Sequence, residues 1–241
     1  MLTAGHSGAA AVNAGARAKA EREVASTRGL SNAAIYRLVA RVLAEKNRST
    51  GRLLDVGCGQ GQLWNFLPAG AFTYTGADLE RYEGFPAGVE FIQADLESGP
   101  LPCPDARYEV VVAAETIEHL ENPRAFMREL ARLATPGGLI VVTTPNQLSW
   151  LSKWSLLFKN QFNAFQEAPG LYPSHKSALL EIDLLRMARE CGLASAEIRY
   201  TGRGRMPCSP WHWPAWLGFR GRRFSDNVLL VALKPERRHA G

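Results

Sequence analysis

Three glycines at alternate positions close an apolar run in residues 53–63, LLDVGCGQGQL, and no other stretch of the chain restricts the fold as strongly. Leu53, Leu54 and Val56 read as a buried strand, and Gly57, Gly59 and Gly61 follow it at once. Without Cβ atoms, these residues let the backbone turn sharply and approach a ligand closely. The spacing narrows the kind of ligand. A dinucleotide fingerprint puts two residues between its second and third glycines, whereas Gln60 alone separates Gly59 from Gly61, which argues against a nicotinamide dehydrogenase.

The same strand pattern recurs along the chain. Apolar runs at Arg52–Val56, Phe72–Ala77, Val89–Gln93, Tyr108–Ala114 and Leu139–Thr143 read as buried strands. Asn32–Glu45 places Ile35, Leu38, Val39, Val42 and Leu43 at helical spacing, with Ser31 or Asn32 as its cap. Pro123–Ala134 is a second helix, and Lys176–Cys191, stopped by Gly192, a third. Two more strands, Ala196–Tyr200 and Asn227–Leu233, complete a βαβ pattern with a largely parallel sheet. At 241 residues, 46% hydrophobic and 21% charged, the chain suits one globular α/β domain rather than a disordered or fibrous protein.

The segments DVGCGQG, YTGADLE, IQADLE and PGGLIVVTTPN follow one another in the order that resembles the class I S-adenosylmethionine-dependent methyltransferase family, over roughly residues 51–146. The resemblance implies a Rossmann-like α/β fold, a seven-stranded, largely parallel sheet flanked by helices. Inserts follow strand 5 (147–174) and precede the last strand (202–224). The domain then runs over 29–235, between a flexible tail at 1–28 and a short tail at 236–241. S-adenosyl-L-methionine is the implied cofactor. The turn containing Asp55, Gly57, Cys58, Gly59, Gly61 and Gln62 faces its methionine part. Asp78, with Leu79 beside it, takes the ribose hydroxyls, since a carboxylate offers two acceptor oxygens to a vicinal diol. Asp95, flanked by Ala94 and Leu96, meets the adenine amino group, and Ala114 and Glu115 border the site from the fourth strand.

Methyl transfer from a sulfonium is an in-line displacement, so the protein must align the acceptor, exclude water and handle the acceptor proton. Next to the fourth strand, AAETIEHLENP sets Glu115, Glu118 and His119 at i, i+3 and i+4. If the chain turns helical there, the three share a face. They can then hold Mg²⁺, Mn²⁺ or Zn²⁺, which would lower the pKa of an acceptor hydroxyl and orient it. The spacing is similar to the Glu-x-x-Glu-His motif of ubiquinone-pathway O-methyltransferases and of small-RNA 2′-O-methyltransferases, in which a later histidine completes the site. His175 in LYPSHKSALL is the corresponding candidate, though its surroundings depart from both families. A metal-free reading makes His119 a general base beside Glu118. In a third reading Glu118 and His119 brace the cofactor pocket and His175 starts a helix.

The acceptor is approached through the inserts. Leu148–Phe165 sets Trp150, Leu151, Trp154, Leu157 and Phe158 on one helical face, which needs the protein's core, a greasy substrate or a membrane edge to cover it. SPWHWPAWLGFRGRRF mixes Trp211, Trp213, Trp216 and Phe219 with Arg220, Arg222 and Arg223, a combination that suits nucleic-acid bases and phosphates or a lipid headgroup surface. A small-molecule acceptor, apolar or lipid-linked, is the leading partner; RNA, peripheral membrane contact and a non-catalytic binding role are the rivals. The formal charge of +5 is concentrated near the C-terminal end, where Arg237 and Arg238 add to the insert's arginines. Four scattered cysteines suggest a reducing cytoplasm, and no apolar run is long enough to span a membrane. The chain is expected to be a monomer or homodimer.

Overall fold

Tyr108–Ala114 and Leu139–Thr143 are rich in valine and largely lack polar alternation, as strands covered on both faces do. The computed structural model describes residues 31–166 and 175–236, and in it the five apolar runs form strands of a seven-stranded sheet, with Val89–Gln93, expected as a buried strand, instead forming a partly exposed strand at its edge. The expected tail at 1–28, residues 167–174 of the first insert and residues 237–241, with Arg237 and Arg238, lie outside the described residues. In chain order the elements are α1 (Ala33–Glu45), β1 (Gly51–Val56), β2 (Phe72–Asp78), β3 (Glu90–Gln93) and β4 (Tyr108–Ala114). There follow α2 (Pro123–Leu133), β5 (Ala134–Pro145), α3 (Trp150–Lys159), α4 (Glu181–Glu190), β6 (Ala194–Tyr200) and β7 (Asn227–Leu233).

Strand order is β3-β2-β1-β4-β5-β7-β6, with β7 antiparallel to both its neighbours and the other pairs parallel. One face packs on α2 and α4 through Phe126, Met127, Leu130, Leu184 and Met187. The opposite face packs on α1 through Ile35, Tyr36, Val39, Val42 and Leu43. Asn32 caps α1, its side-chain oxygen accepting the Ala34 N–H at 2.9 Å. The chain runs from β1 outward to β3 and returns to β4 on the other side of β1. Strand order therefore reverses between β1 and β4, which opens a crevice at their carboxyl ends.

Two further expectations change. The helix anticipated over Lys176–Cys191 begins only at Glu181. Ahead of it, the N–H groups of Lys176 and Ser177 both donate to the Glu118 carbonyl, at 2.8 and 2.9 Å, and hold that segment extended against the loop after β4. Helical continuation after Ala114 does not occur either. Glu115 adopts φ 54°, and the three residues Ile117–His119 form only a 3-10 turn, so Glu115, Glu118 and His119 do not share a helical face.

The orientation of α3, which the sequence leaves open, is decided by the structure. Its polar residues Ser152 and Ser155 are buried, while Trp154, Leu157 and Phe158 face outward. Hydrogen bonds select this orientation. The Ser149 hydroxyl caps the helix by accepting the Ser152 N–H at 3.1 Å, and the Ser155 hydroxyl donates to the Gln161 carbonyl at 2.8 Å. The Ser152 hydroxyl pairs with the Gln147 side chain at 3.2 Å.

Candidate active site

The glycine turn leaves β1 directly into the crevice. Gly57 has φ +72°, and a Cβ built there would lie 2.2 Å from the Thr116 hydroxyl oxygen, because Thr116 packs under the turn and donates to the Val56 carbonyl at 3.1 Å. Gly59, at φ 51°, presents its N–H to Asp78 Oδ2 at 2.7 Å, while the Leu79 N–H binds Oδ1 of the same carboxylate, also at 2.7 Å. Each Asp78 oxygen thus keeps acceptor capacity for a further donor. Burial raises the Asp78 pKa, and those two N–H groups oppose the rise. Beneath the turn, Asp55 is buried and accepts the Tyr74 hydroxyl at 2.6 Å, while its Oδ1 has no donor in hydrogen-bonding geometry. Burial pushes the Asp55 carboxyl up to about 7 despite the tyrosine, and the Asp78 charge adds to the rise.

The remaining cofactor candidates line the same row of strand ends. Cys58 is buried in the turn, and Gln62 opens the 3-10 turn Gln62–Phe66. Ala94 donates its N–H to the Asp78 carbonyl at 2.9 Å, and Ala94 and Leu96 pack partly buried on the sheet. Asp95 is exposed, with one oxygen accepting the Glu97 N–H at 2.9 Å. Ala114 is buried at the end of β4.

Glu115 turns away from the histidines. Its backbone N–H donates to Thr143 Oγ1 at 2.9 Å, that hydroxyl donates to Glu115 Oε1 at 2.7 Å, and Asn227 Nδ2 donates to Oε2 at 2.7 Å. Burial raises its pKa to about 7 against these donors. Neither Thr143 nor Asn227 stands out in the sequence; they meet Glu115 only because β5 and β7 lie beside β4 in the sheet.

Glu118, His119 and His175 converge. Their ligand atoms lie within 4.8 Å of one another, and Glu115 falls outside the group. Glu118 is completely buried, and neither carboxylate oxygen has a donor in hydrogen-bonding geometry. Burial, followed by the neighbouring Glu115 charge, raises its pKa well above the usual carboxylate range. His175 Nε2 lies 3.9 Å from Glu118 Oε1, and the rings of His119 and His175 meet edge to face at 4.5 Å. The Ala164 carbonyl can only accept, so at 2.8 Å it fixes the His175 proton on Nδ1 and leaves the Nε2 lone pair directed at the cluster. Burial, with the His119 charge second, depresses the His175 pKa to about 3, so the ring is neutral at physiological pH. A neutral imidazole and a carboxylate are the donor types that divalent transition metals accept. The sequence does not single out Ala164, which reaches His175 through the 3-10 turn Asn163–Phe165 of the first insert.

An open, mostly parallel sheet with a glycine turn and a buried acidic residue at adjacent strand ends, beside the point where strand order reverses, defines a nucleotide-type α/β cofactor-binding fold. A family model described as "Methyltransferase domain" matches residues 26–179, and the chain belongs to that family, with the class I S-adenosylmethionine-dependent methyltransferase fold. A Mycolicibacterium smegmatis protein named "Probable S-adenosylmethionine-dependent methyltransferase" is 32% identical over 162 residues, covering 65% of this chain and 63% of that protein. A "Ubiquinone biosynthesis O-methyltransferase" from Caulobacter sp. (strain K31) is 34% identical over 104 residues, covering 40% of this chain and 41% of that protein. The chain therefore spans less than two thirds of the length of either relative. Among solved structures, Burkholderia thailandensis 1,6-didemethyltoxoflavin-N1-methyltransferase with bound S-adenosylhomocysteine is 13% identical, covers 98% of this chain and 92% of that one, and has a TM-score of 0.58. That likeness concerns the fold alone.

Proposed function

We propose that this chain is an S-adenosylmethionine-dependent O-methyltransferase whose small-molecule acceptor presents a hydroxyl to Glu118, His119 and His175. The observation that carries this reading is the Glu118 carboxylate, fully buried with the Thr144 hydroxyl as a neighbour but no donor in hydrogen-bonding geometry, and converging with two imidazoles after β4. A buried carboxylate left in that state is costly unless a cation, a proton or a ligand donor meets it. The names of the ubiquinone-pathway relatives support oxygen as the methylated atom.

The cofactor cradle fits S-adenosylmethionine: Asp78 keeps free lone pairs for a diol, and Gly57 and Gly59 bring the backbone to the strand ends without side chains in the way. The cofactor supplies a methyl group on a sulfonium that is already activated for displacement. Glu118, His119 and His175 would hold a divalent cation, Mg²⁺, Mn²⁺ or Zn²⁺, whose contribution is to acidify and orient an acceptor hydroxyl. The residues of the chain do the rest. Asp78 and the glycine turn fix the donor, and the Ala164 carbonyl holds the His175 ring in place. Where no cation is held, His119 instead accepts the acceptor proton as the S–CH₃ bond breaks and the O–CH₃ bond forms.

The test is transfer of labelled methyl from S-adenosylmethionine into a metabolite extract, before and after metal stripping. Loss on chelation and recovery with Mg²⁺, Mn²⁺ or Zn²⁺ is expected. Activity indifferent to chelation but abolished by His119→Ala would remove the cation and leave His119 as an unaided base. Failure to bind S-adenosylmethionine in calorimetry would sink the whole reading.

A further inference from the structure

Two surface segments are sorted by polarity against the usual pattern. In α3 the serines are inside, and Leu157 and Phe158 are 75% and 69% exposed. The Trp154 and Phe158 rings stack on each other at 5.1 Å on the outer side. The loop 202–224 divides its aromatic residues into two sets. Trp213, Phe219 and Phe224 form a packed cluster, with ring centroids 4.7 to 5.3 Å apart, while Trp211 and Trp216 stand 71% and 84% exposed outside it. The two segments are joined. The Trp150 N–H donates to the Arg223 carbonyl at 2.8 Å, and Asn146 Nδ2 donates to the carbonyls of Arg222 and Ser225, both at 2.8 Å. Lys153 and Arg223 both lie over the Trp150 ring, at 5.5 and 5.9 Å from its centroid.

Charge selects what covers this surface. Residues 146–166 and 202–224 contain no Asp or Glu, but they carry Lys153, Lys159, Arg203, Arg205, Arg220, Arg222 and Arg223. Arg205 is paired with Asp226 and Arg222 with Glu181; the other five make no ion pair among the described residues. A second copy of the chain would place the same basic patch against itself in a two-fold interface, with no acidic group to meet it. A nucleic acid would satisfy the cations and stack on the indoles, yet Leu156, Leu157 and Leu217, exposed among them, are not stacking platforms. Acyl chains beneath anionic headgroups satisfy both sets: aliphatic and aromatic side chains enter the apolar boundary, indoles sit at headgroup level, and Lys and Arg meet phosphates. Among the described residues no helix is long and apolar enough to cross a membrane, so the contact is peripheral.

We infer that α3 and the loop 202–224 form a peripheral membrane-binding surface, which seats the molecule on anionic lipid near the strand ends that carry the candidate active site. The helix lies along the interface with Trp154, Leu157 and Phe158 downward, and the exposed basic residues meet lipid phosphates. Because a single layer of side chains is inserted, binding is reversible and falls as salt rises. The surface does not depend on which atom is methylated or on whether a cation is held at Glu118.

Co-sedimentation of the full chain with vesicles of phosphatidylcholine and phosphatidylglycerol in equal parts, and with phosphatidylcholine alone, tests this directly. Binding to the anionic vesicles, with a blue shift of tryptophan emission, and little binding to phosphatidylcholine are expected. Leu157→Gln with Phe158→Gln should abolish insertion. Each of Lys159→Glu and Arg220→Glu should weaken binding by about fivefold or more. An unchanged thermal midpoint and unchanged S-adenosylmethionine binding would show that these variants still fold. No binding of the wild type to anionic vesicles, equal binding to both vesicle types, or undiminished binding by the double variant would overturn the inference. So would a dimer in light scattering that Leu157→Gln with Phe158→Gln dissociates, or binding confined to RNA.

Discussion

Asp78 and Glu118 are both acidic residues held near strand ends on one edge of the sheet, and their surroundings differ in what they supply. Asp78 receives one backbone N–H on each oxygen. Glu118 is more deeply buried and receives none in hydrogen-bonding geometry, but it is faced by two imidazoles. Backbone donors give the first carboxylate a fixed direction and oppose the upward pull of burial on its pKa, an arrangement suited to a neutral diol. Their absence around the second leaves acceptor capacity that only a cation, a proton or a substrate group can satisfy. In the proposed reaction the donor-rich end holds a ligand in place and the donor-poor end acts on one.

The largest expected effect breaks or supports that contrast at the donor-poor end. Glu118→Gln should lower methyl transfer by at least about 100-fold while leaving S-adenosylmethionine affinity, read by calorimetry, within roughly a factor of two. Its thermal midpoint after metal stripping should not fall, since the change removes a buried carboxylate that no donor meets in hydrogen-bonding geometry. A large loss of stability with little loss of turnover would mark Glu118 as a bracing residue.

At the donor-rich end, Gly57→Ala should cost at least about 2 kcal/mol, because a Cβ there needs an unfavourable φ and overlaps Thr116. A denaturant midpoint close to that of the wild type would contradict the packing described. Asp78→Ala should weaken cofactor binding by about 10- to 100-fold, the worth of hydrogen bonds to a charged group, and undiminished binding would displace the ribose from that carboxylate.

A pH-dependent effect concerns Asp55. Its folded pKa of about 7 lies above the unfolded value of 3.8, so the native state binds the extra proton between them and stability falls as pH rises through that window. Asp55→Asn should remove this slope, about 1.4 kcal/mol per pH unit at most, in urea midpoints compared at about pH 5 and about pH 8. Parallel profiles for the two proteins would mean that the Asp55 proton is not held as its burial requires.

Much of the donor-rich end is legible in the sequence because it is local. The glycines at alternate positions need only their own backbone freedom, and the strand before them only an apolar run, so Gly57, Gly59 and Gly61 follow β1 with positive φ at each, and Asp78 ends β2 within hydrogen-bonding reach of Gly59. The strands β4 and β7 fall at the residues their apolar runs predict. The donor-poor end is legible only in part. Glu118, His119 and His175 come together, but Glu118 and His119 on a 3-10 turn rather than a helix, with the segment after His175 tied to the Glu118 carbonyl. Glu115 leaves the group because Thr143 and Asn227, distant in sequence, offer it donors.

By itself the sequence determined the alternation of strands and helices, the glycine turn, and the residue types available for methyl-transfer chemistry, since each depends on neighbours a few positions away. Only the tertiary structure decided which carboxylates have donors and which face of α3 turns outward. Both outcomes depend on hydrogen-bond partners supplied by other strands and loops. Such partners redirect a side chain whenever leaving a polar group buried without one costs more than exposing an apolar one.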